Sequence, residues 1–440
     1  MWTVSFCTFG CKLNQSETAI IVKDFIDHGY RVVTIDEGAD VFVINTCTVT
    51  GRSDAKCRRA IRHALRRNPE TTAIVLGCYP QVASEEIVTI PGVDYIMGTE
   101  EKLHIFDHFP GPGKLSSPKI LITQERSYRK AISRSGEYGD HTRAFLKIQD
   151  GCNRRCSYCI VPLARGPSRS VPIETIIEQT ELLITRGYKE IVLTGVHIGK
   201  WGKDLSANSS LPFLLERLLT LKGPGRIRLS SLDPEDITDE LLECIAESKR
   251  ICHHFHVPVQ SGSDSILTAM DRPYSTHTFR ERIHKITRQF KEVGLGTDVI
   301  VGFPGESDRE FEETVCLIKE LPFSYIHVFP FSIRKGTKAA SMDHQVASNV
   351  RIERARKLRE LGEIKKKQFM EKWLHREVNV LLESRNLEGW MSGVTPEYLR
   401  VEVPFDQTLV NRIVLVRIEE VLHSHVRGRI IETQIPVEPM

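Results

Sequence analysis

Three cysteines form a Cys-x-x-x-Cys-x-x-Cys run, which we call the first cysteine set: Cys152, Cys156 and Cys159. Three thiolates at this spacing can hold three irons of a four-iron cubane, so that the fourth iron can bind a small chelating molecule. A structural zinc site requires four ligands, usually as two pairs, and no second cysteine pair follows at zinc-ribbon spacing. The run therefore predicts an iron–sulfur site with one open coordination position.

Three further cysteines, the second cysteine set, are far apart in sequence: Cys11, Cys47 and Cys78. Each follows a predicted strand, and in a parallel sheet the strand ends share one edge, where ligands bind. The three thiols are therefore able to converge on a shared metal site. The alternative is that each is a small buried hydrophobic side chain, as most free cysteines are. This pattern alone leaves both interpretations open.

The elements that position these cysteines alternate between strands and helices, which indicates an α/β fold. In the N-terminal part, residues 4–8, 41–46 and 72–77 are predicted to be buried strands, with helices at 17–29 and 54–68. The alternation restarts at Arg143, with strand candidates at 144–148, 190–194, 226–230, 255–259, 296–301 and 325–329. Six such units predict an open, partial (βα)6 barrel.

The C-terminal part has a different character. A basic helix is predicted at 350–375, followed by short strands at 378–382, 391–394, 398–403 and 414–421. These strands predict a small all-β barrel, which either faces single-stranded nucleic acid or is a structural cap. With a Pro- and Gly-rich linker, the predicted domains are 1–108, the linker 109–138, 139–370 and 371–440.

Composition excludes several classes of protein. The chain of 440 residues is 40% hydrophobic and 27% charged, and its net charge of +3 is too small to indicate nucleic-acid binding by itself. Eleven cysteines are too few for a disulfide scaffold of this length, so reduced thiols in the cytoplasm are expected. The N-terminus lacks the basic region of a signal peptide, and no apolar stretch reaches the ~18 residues of a membrane span.

Taken together, the motifs resemble those of the radical SAM (S-adenosylmethionine) methylthiotransferases. The motifs that carry the resemblance are residues 10–14, 45–49, 77–78, 152–166 and 298–306. The resemblance implies an N-terminal methylthiotransferase domain, a radical SAM barrel and a C-terminal TRAM domain. It implies that the first cysteine set holds the [4Fe-4S] cluster that binds SAM and that the second holds an auxiliary [4Fe-4S] cluster. It also implies a low-potential electron donor of the flavodoxin or ferredoxin type.

Within this family the chain most resembles the threonylcarbamoyl branch, at residues 146–153, 163–166 and 191–197. That branch adds a methylthio group to C2 of N6-threonylcarbamoyladenosine at position 37 of tRNA. The alternatives are isopentenyladenosine at the same position and an aspartate of a ribosomal protein. A non-catalytic iron–sulfur RNA-binding protein and a zinc-binding module are alternatives of other classes.

No catalytic residue is expected beyond the cluster ligands. The candidate SAM contacts are one aromatic residue beside the ligands and three residues at strand ends: Tyr158, Thr194, Ser230 and Gly302. Each has an ordinary alternative, either an aromatic at the barrel mouth or a simple turn residue. The arginines of the helix at 54–68 either meet tRNA phosphates or form a solvated face.

Overall fold

The structure is a computed structural model that describes residues 1–123, 142–206, 208–223 and 225–432, and leaves out the side chains of 385–387. The predicted linker at 109–138 therefore lies partly outside the described residues. The part of it that is described contains a short strand, Lys119–Leu121, which pairs with the N-terminal sheet.

The N-terminal domain is a parallel sheet of six strands in the order β2-β1-β3-β4-β5-β6. Its strands are β1 (Thr3–Thr8), β2 (Arg31–Val32), β3 (Val41–Thr46), β4 (Thr72–Gly77), β5 (Val93–Met97) and β6 (Lys119–Leu121). Its helices are α1 (Lys12–Asp27), α2 (Gly51–Arg67) and α3 (Cys78–Val88). Apolar residues of α1 fill the core on one face of the sheet, and those of α2 and α3 fill the core on the other.

The second domain confirms the predicted partial barrel. Two parallel sheets of three strands, β11-β10-β7 and β12-β13-β14, meet where Ile227 bridges Ile251. Its strands are β7 (Arg143–Lys147), β8 (Gln149–Asp150), β9 (Arg169–Ser170), β10 (Glu190–Thr194), β11 (Arg226–Leu229), β12 (His254–His256), β13 (Gly294–Val301) and β14 (Tyr325–Pro330). Its helices are α4 (Val161–Arg165), α5 (Ile173–Thr185), α6 (Leu211–Leu219), α7 (Asp239–Ala246), α8 (Asp264–Ala269), α9 (Thr276–Gln289) and α10 (Asp308–Glu320).

The C-terminal part begins with the long helix α11 (Ser348–Glu371) and continues as a closed barrel in the order β15-β16-β17-β19-β18. Its strands are β15 (Glu377–Leu387), β16 (Trp390–Val394), β17 (Arg400–Pro404), β18 (Ile413–Val421) and β19 (Val426–Glu432). This confirms the small all-β barrel, although β19 was not among the predicted strands. The small barrel docks on the second domain through its own backbone carbonyls. Two buried arginines of β11, Arg226 and Arg228, donate hydrogen bonds to the carbonyls of Asn379, Val394, Thr395 and Pro396.

Candidate metal centres and the cavity between the domains

The structure brings the first cysteine set together in the loop between β8 and α4. Gly151 starts this loop with a positive φ of 68°, and a Cβ there would lie 1.9 Å from the Pro167 carbonyl oxygen. The Cys152 amide donates to the Gly166 carbonyl at 3.0 Å, which closes the loop on itself. All three cysteines of the set line one cavity of about 800 Å³. The loop thus presents three free thiols to a common space.

Cationic side chains surround these sulfurs. Arg272 Nη1 lies 3.2 Å from Cys156 Sγ, and its Nη2 lies 2.7 Å from Asp233. His197 Nδ1 lies 3.9 Å from Cys152 Sγ, and its Nε2 lies 2.7 Å from Asp236. Burial lowers the pKa of His197, but its hydrogen bonds to Asp236 and Cys152 outweigh burial and raise the pKa to about 9. Two positive N–H donors beside the sulfurs fit a thiolate-bound cluster, whose charge they would partly neutralise.

The second cysteine set is also brought together, at one edge of the N-terminal sheet. Cys11 precedes α1, Cys47 follows β3, and Cys78 opens α3, at the ends of strands that pair side by side. Gly10 has a φ of 111°, and a Cβ there would lie 2.7 Å from the Cys47 Cβ. Burial, and then the neighbouring Cys78 and Cys11 sulfurs, raise the pKa of Cys47 to about 12. A thiol with so high a pKa becomes a thiolate at neutral pH only if a metal displaces its proton.

A buried charged network, which the sequence did not predict, lies between the two cysteine sets. Arg165 of α4 donates to both oxygens of Glu17 at 3.0 Å and to Asp150 at 2.9 Å. Lys102 and Lys147 pair with the same Glu17, at 2.5 and 3.0 Å. Burial raises the pKa of Glu17, but Arg165, Lys102 and Lys147 outweigh it and hold that pKa well below its usual range. The sequence signal that could have revealed this network is the set of polar residues on α1, at positions that the structure shows to be buried.

Arg165 also connects the network to the second cysteine set. Its Nη2 donates to Asn14 Oδ1 at 2.6 Å. The Asn14 amide in turn donates to the carbonyls of Phe9 and Thr46, at 2.8 and 2.9 Å. Those two carbonyls belong to the backbone just before Cys11 and Cys47. A continuous hydrogen-bonded path therefore runs from the helix after the first cysteine set to the second.

A central cavity of about 810 Å³ lies between the three domains and reaches Cys11. Two of the four candidate SAM contacts, Thr194 and Ser230, line it. Tyr158 instead packs beside an apolar cluster that includes Met270 and Phe303. A Cβ on Gly302 would lie 2.2 Å from Arg351 Cγ, so a side chain of α11 covers this position. The structure therefore groups Thr194 with Ser230 and places the other two elsewhere.

The central cavity has more cationic than anionic side chains. Two carboxylates line it, Asp298 and Glu363, together with five Lys or Arg side chains: Lys12, Arg143, Arg359, Lys366 and Arg400. Asp298 is already paired, at 3.0 Å from His256 and 3.1 Å from His327. The cavity is therefore suited to a ligand that carries negative charge.

Two arginines of α2 pair within their own domain. Arg58 lies 2.9 Å from Glu86, and Arg67 lies 3.1 Å from Asp36. These pairs are compatible with the interpretation that this helix presents a solvated face. Among the described residues, no helix is both long and apolar enough to cross a membrane.

Comparisons with known proteins identify the fold and the family. Residues 146–318 match the Radical SAM superfamily, and residues 3–98 match Uncharacterized protein family UPF0004. The radical S-adenosylmethionine methyltransferase TsrM of Kitasatospora setae shares the fold, with a TM-score of 0.52 and 14% identity over 77% of each chain. The fold and the first cysteine set thus define a radical SAM enzyme, a class that uses SAM and a [4Fe-4S] cluster.

Relatives in sequence are more specific. The Threonylcarbamoyladenosine tRNA methylthiotransferase MtaB of Bacillus subtilis is 39% identical, over 99% of this chain and 98% of its own. The protein of the same name from Thermotoga maritima is 35% identical, over 99% of both chains. A tRNA-2-methylthio-N(6)-dimethylallyladenosine synthase of Clostridium botulinum is 36% identical, over 93% of both. The chain belongs to the radical SAM methylthiotransferase family.

Proposed function

We propose that this enzyme adds a methylthio group to C2 of N6-threonylcarbamoyladenosine at position 37 of tRNA. The observation that carries the proposal is the pair of cysteine sets, each gathered at strand ends and joined through Arg165. Two metal centres at fixed separation suit a reaction that needs both a radical and a sulfur donor. Relatives named for this activity, which match 99% of the chain, support the choice of substrate.

In this proposal the first cysteine set holds three irons of a [4Fe-4S] cluster, whose fourth iron binds SAM. The second set holds an auxiliary [4Fe-4S] cluster. When bound, these groups supply a carbon radical and the sulfur that is transferred. A low-potential electron donor of the flavodoxin or ferredoxin type would reduce the first cluster. The proposed tRNA substrate supports a cytoplasmic location for the enzyme.

The residues of this chain bind and orient. Arg272 and His197 hydrogen-bond the sulfurs of Cys156 and Cys152, and so hold the first loop around its cluster. Thr194 and Ser230 offer hydroxyls to a ligand in the central cavity. The buried Ser230 hydroxyl has no hydrogen-bond partner among the residues that the structure describes, so a bound ligand could satisfy it. Arg165 keeps the two cysteine sets at a fixed separation.

Methylthiolation of dimethylallyladenosine is the second candidate, because relatives named for it reach 36% identity. The cationic lining of the central cavity favours the first candidate. A threonylcarbamoyl group carries a carboxylate and amides, whereas a dimethylallyl group is apolar. A site built to pair polar groups rejects a partner that lacks them, because its own buried donors are left unsatisfied.

The test is turnover of two tRNAs that differ only in the group on adenosine 37. The reconstituted enzyme, SAM and a reductant are incubated with each tRNA, and digested nucleosides are measured by mass spectrometry. We expect a methylthio group on threonylcarbamoyladenosine and little on the dimethylallyl base. A variant with Ala at all three positions of the second cysteine set is the control, and it should modify neither. Equal turnover of both tRNAs by the unaltered enzyme contradicts the proposal.

A further inference from the structure

A cluster of cations surrounds one aromatic ring in the wall of the central cavity. The ring of Tyr398 has the Lys12 ammonium and the Arg143 guanidinium each 5.9 Å from its centroid, and the Arg228 guanidinium at 5.1 Å. Lys12 opens α1, Arg143 opens β7, Arg228 lies on β11, and Tyr398 belongs to the small barrel. The cluster is therefore complete only when all three domains are docked.

These cations differ in how far they are neutralised. Arg228 forms a two-pronged ion pair with Glu190, at 2.7 and 3.0 Å. Arg143 lies 3.0 Å from Glu383. Lys12 Nζ forms no ion pair within the described part of the chain, although it is half-buried. One positive charge of the cluster thus lacks a partner of its own and faces the cavity.

The position of Tyr398 is held by an unusual backbone conformation. Its φ of 69° lies in the left-handed region, which a bulky residue rarely adopts. Its amide donates to the Thr395 carbonyl at 3.0 Å, and the Thr395 hydroxyl accepts from the Leu399 amide at 3.2 Å. Strained residues of this kind cluster at ligand sites, where the surrounding structure enforces them. The turn here holds the ring beside Lys12 and Arg143.

We propose that Lys12 and Arg143 bind the carboxylate of the threonylcarbamoyl group, with the Tyr398 ring holding the two cations beside the cavity. This inference rests on the proposed function and identifies the residues that select the modified base. The chemistry recognised is an oxyanion at the end of a neutral polar group. A tRNA phosphate offers the same chemistry, so the experiment must separate the two sources.

The test uses three anticodon stem-loop RNAs of identical sequence. They differ at position 37 only, which carries threonylcarbamoyladenosine, the same group with its carboxylate converted to a carboxamide, or unmodified adenosine. Dissociation constants are measured without turnover, on the reconstituted full-length enzyme. Hydrogen bonds to charged groups predict that the unaltered enzyme prefers the carboxylate over the carboxamide by about tenfold to a hundredfold. Lys12→Met should remove at least about tenfold of this preference.

Lys367→Met is the matched control, because Lys367 is an exposed side chain of α11 that lies 3.8 Å from Glu371 and does not line the cavity. It should keep the preference of the unaltered enzyme. Each preference is a ratio within one variant, so partial loss of folded protein cancels. The iron content of Lys12→Met checks that Cys11, its neighbour, is undisturbed. Arg143→Gln is the second variant and should also lower the ratio.

Three outcomes overturn the inference. The first is that the unaltered enzyme does not distinguish carboxylate from carboxamide, and the second is that Lys12→Met keeps the full ratio. The third is that Lys12→Met weakens all three RNAs equally, which would assign Lys12 to a phosphate. In each case the turnover of threonylcarbamoyl tRNA decides the proposed function separately. Loss of the ratio in Lys12→Met, with the ratio of Lys367→Met intact, supports the carboxylate site.

Discussion

Arg165→Met is the most informative single change in this molecule, because Arg165 joins the N-terminal domain to the barrel. The substitution keeps much of the side-chain volume and removes four hydrogen bonds, two to Glu17, one to Asp150 and one to Asn14. The side chain is only 3% exposed, so water cannot replace those bonds. We expect the domain interface to weaken even with both cysteine sets intact.

The expected loss in the free energy of unfolding depends on which cations remain beside the carboxylates of Glu17 and Asp150. Removing one partner of a buried ion pair typically costs about 3–5 kcal/mol, because the other charge is left uncompensated. Here Lys102 and Lys147 stay at 2.5 and 3.0 Å from Glu17, and Lys147 stays at 2.8 Å from Asp150. Both carboxylates therefore keep a cation, and we place the loss near the lower end, at about 3 kcal/mol.

The assay is urea unfolding followed by circular dichroism, with iron removed so that loss of the clusters does not contribute. Arg67→Met is the matched control, because Arg67 pairs with Asp36 at 3.1 Å but is half exposed. Such surface pairs contribute at most about 1 kcal/mol. A double-mutant cycle of Arg165→Met with Glu17→Gln should also show a coupling energy. If Arg165→Met costs no more than Arg67→Met, the network does not hold the domains together.

Further predictions concern iron, pH and tRNA. Two [4Fe-4S] clusters correspond to about eight irons per chain. Substituting Ala at all three positions of either cysteine set should leave about half the iron, and only the loss of the first set should abolish SAM cleavage. The control Cys252→Ala should keep the full iron content. The lowered pKa of Glu17 means that its contribution to stability is present above the usual glutamate pKa of about 4.3 and is lost as pH falls below it. Urea midpoints between about pH 5 and 3 should therefore fall less steeply in Glu17→Gln than in the unaltered chain. Deleting residues 377–440 removes Tyr398 from the cavity and should weaken tRNA binding, and the remaining affinity should depend less on salt concentration. An unchanged affinity for tRNA would make the small barrel a structural cap.

The pattern of the sequence indicated both cysteine sets through local signals, although for the second set it also allowed three separately buried thiols. The first set is defined by spacing alone. In the second set each cysteine follows a strand, and paired parallel strands end at one edge, as the register of Thr46 with Gly77 shows. The six barrel strands were also predictable from local patterns, since each is a short segment of alternating or consecutive apolar residues between helices. Helix α1 nevertheless begins five residues before its predicted start at 17, because the extended Cys11 serves as its N-cap.

Long-range pairing of polar side chains could not be predicted in this way. Lys102 and Arg165 lie 85 and 148 positions away from Glu17 in the sequence, and the three positions follow no period. Tyr398 lies in a turn and has a φ of 69°, but the sequence gives no sign of this conformation, which a glycine would have indicated. The position of Gly302 beneath Arg351 likewise depends on where α11 docks. Contacts made by docked domains are thus missing from any prediction built on local patterns.

Buried hydrogen bonds connect the two cysteine sets through side chains of the N-terminal domain and the partial barrel. Cys159 lies two residues before the start of α4, whose last residue is Arg165. From Arg165 the path runs through Asn14 to the carbonyls that precede Cys11 and Cys47, with every step at 2.6–2.9 Å. A short helix and one buried amide therefore connect the two loops rigidly. In a reaction that must bring a radical and a sulfur to one carbon atom, this rigidity fixes the geometry before the substrate binds.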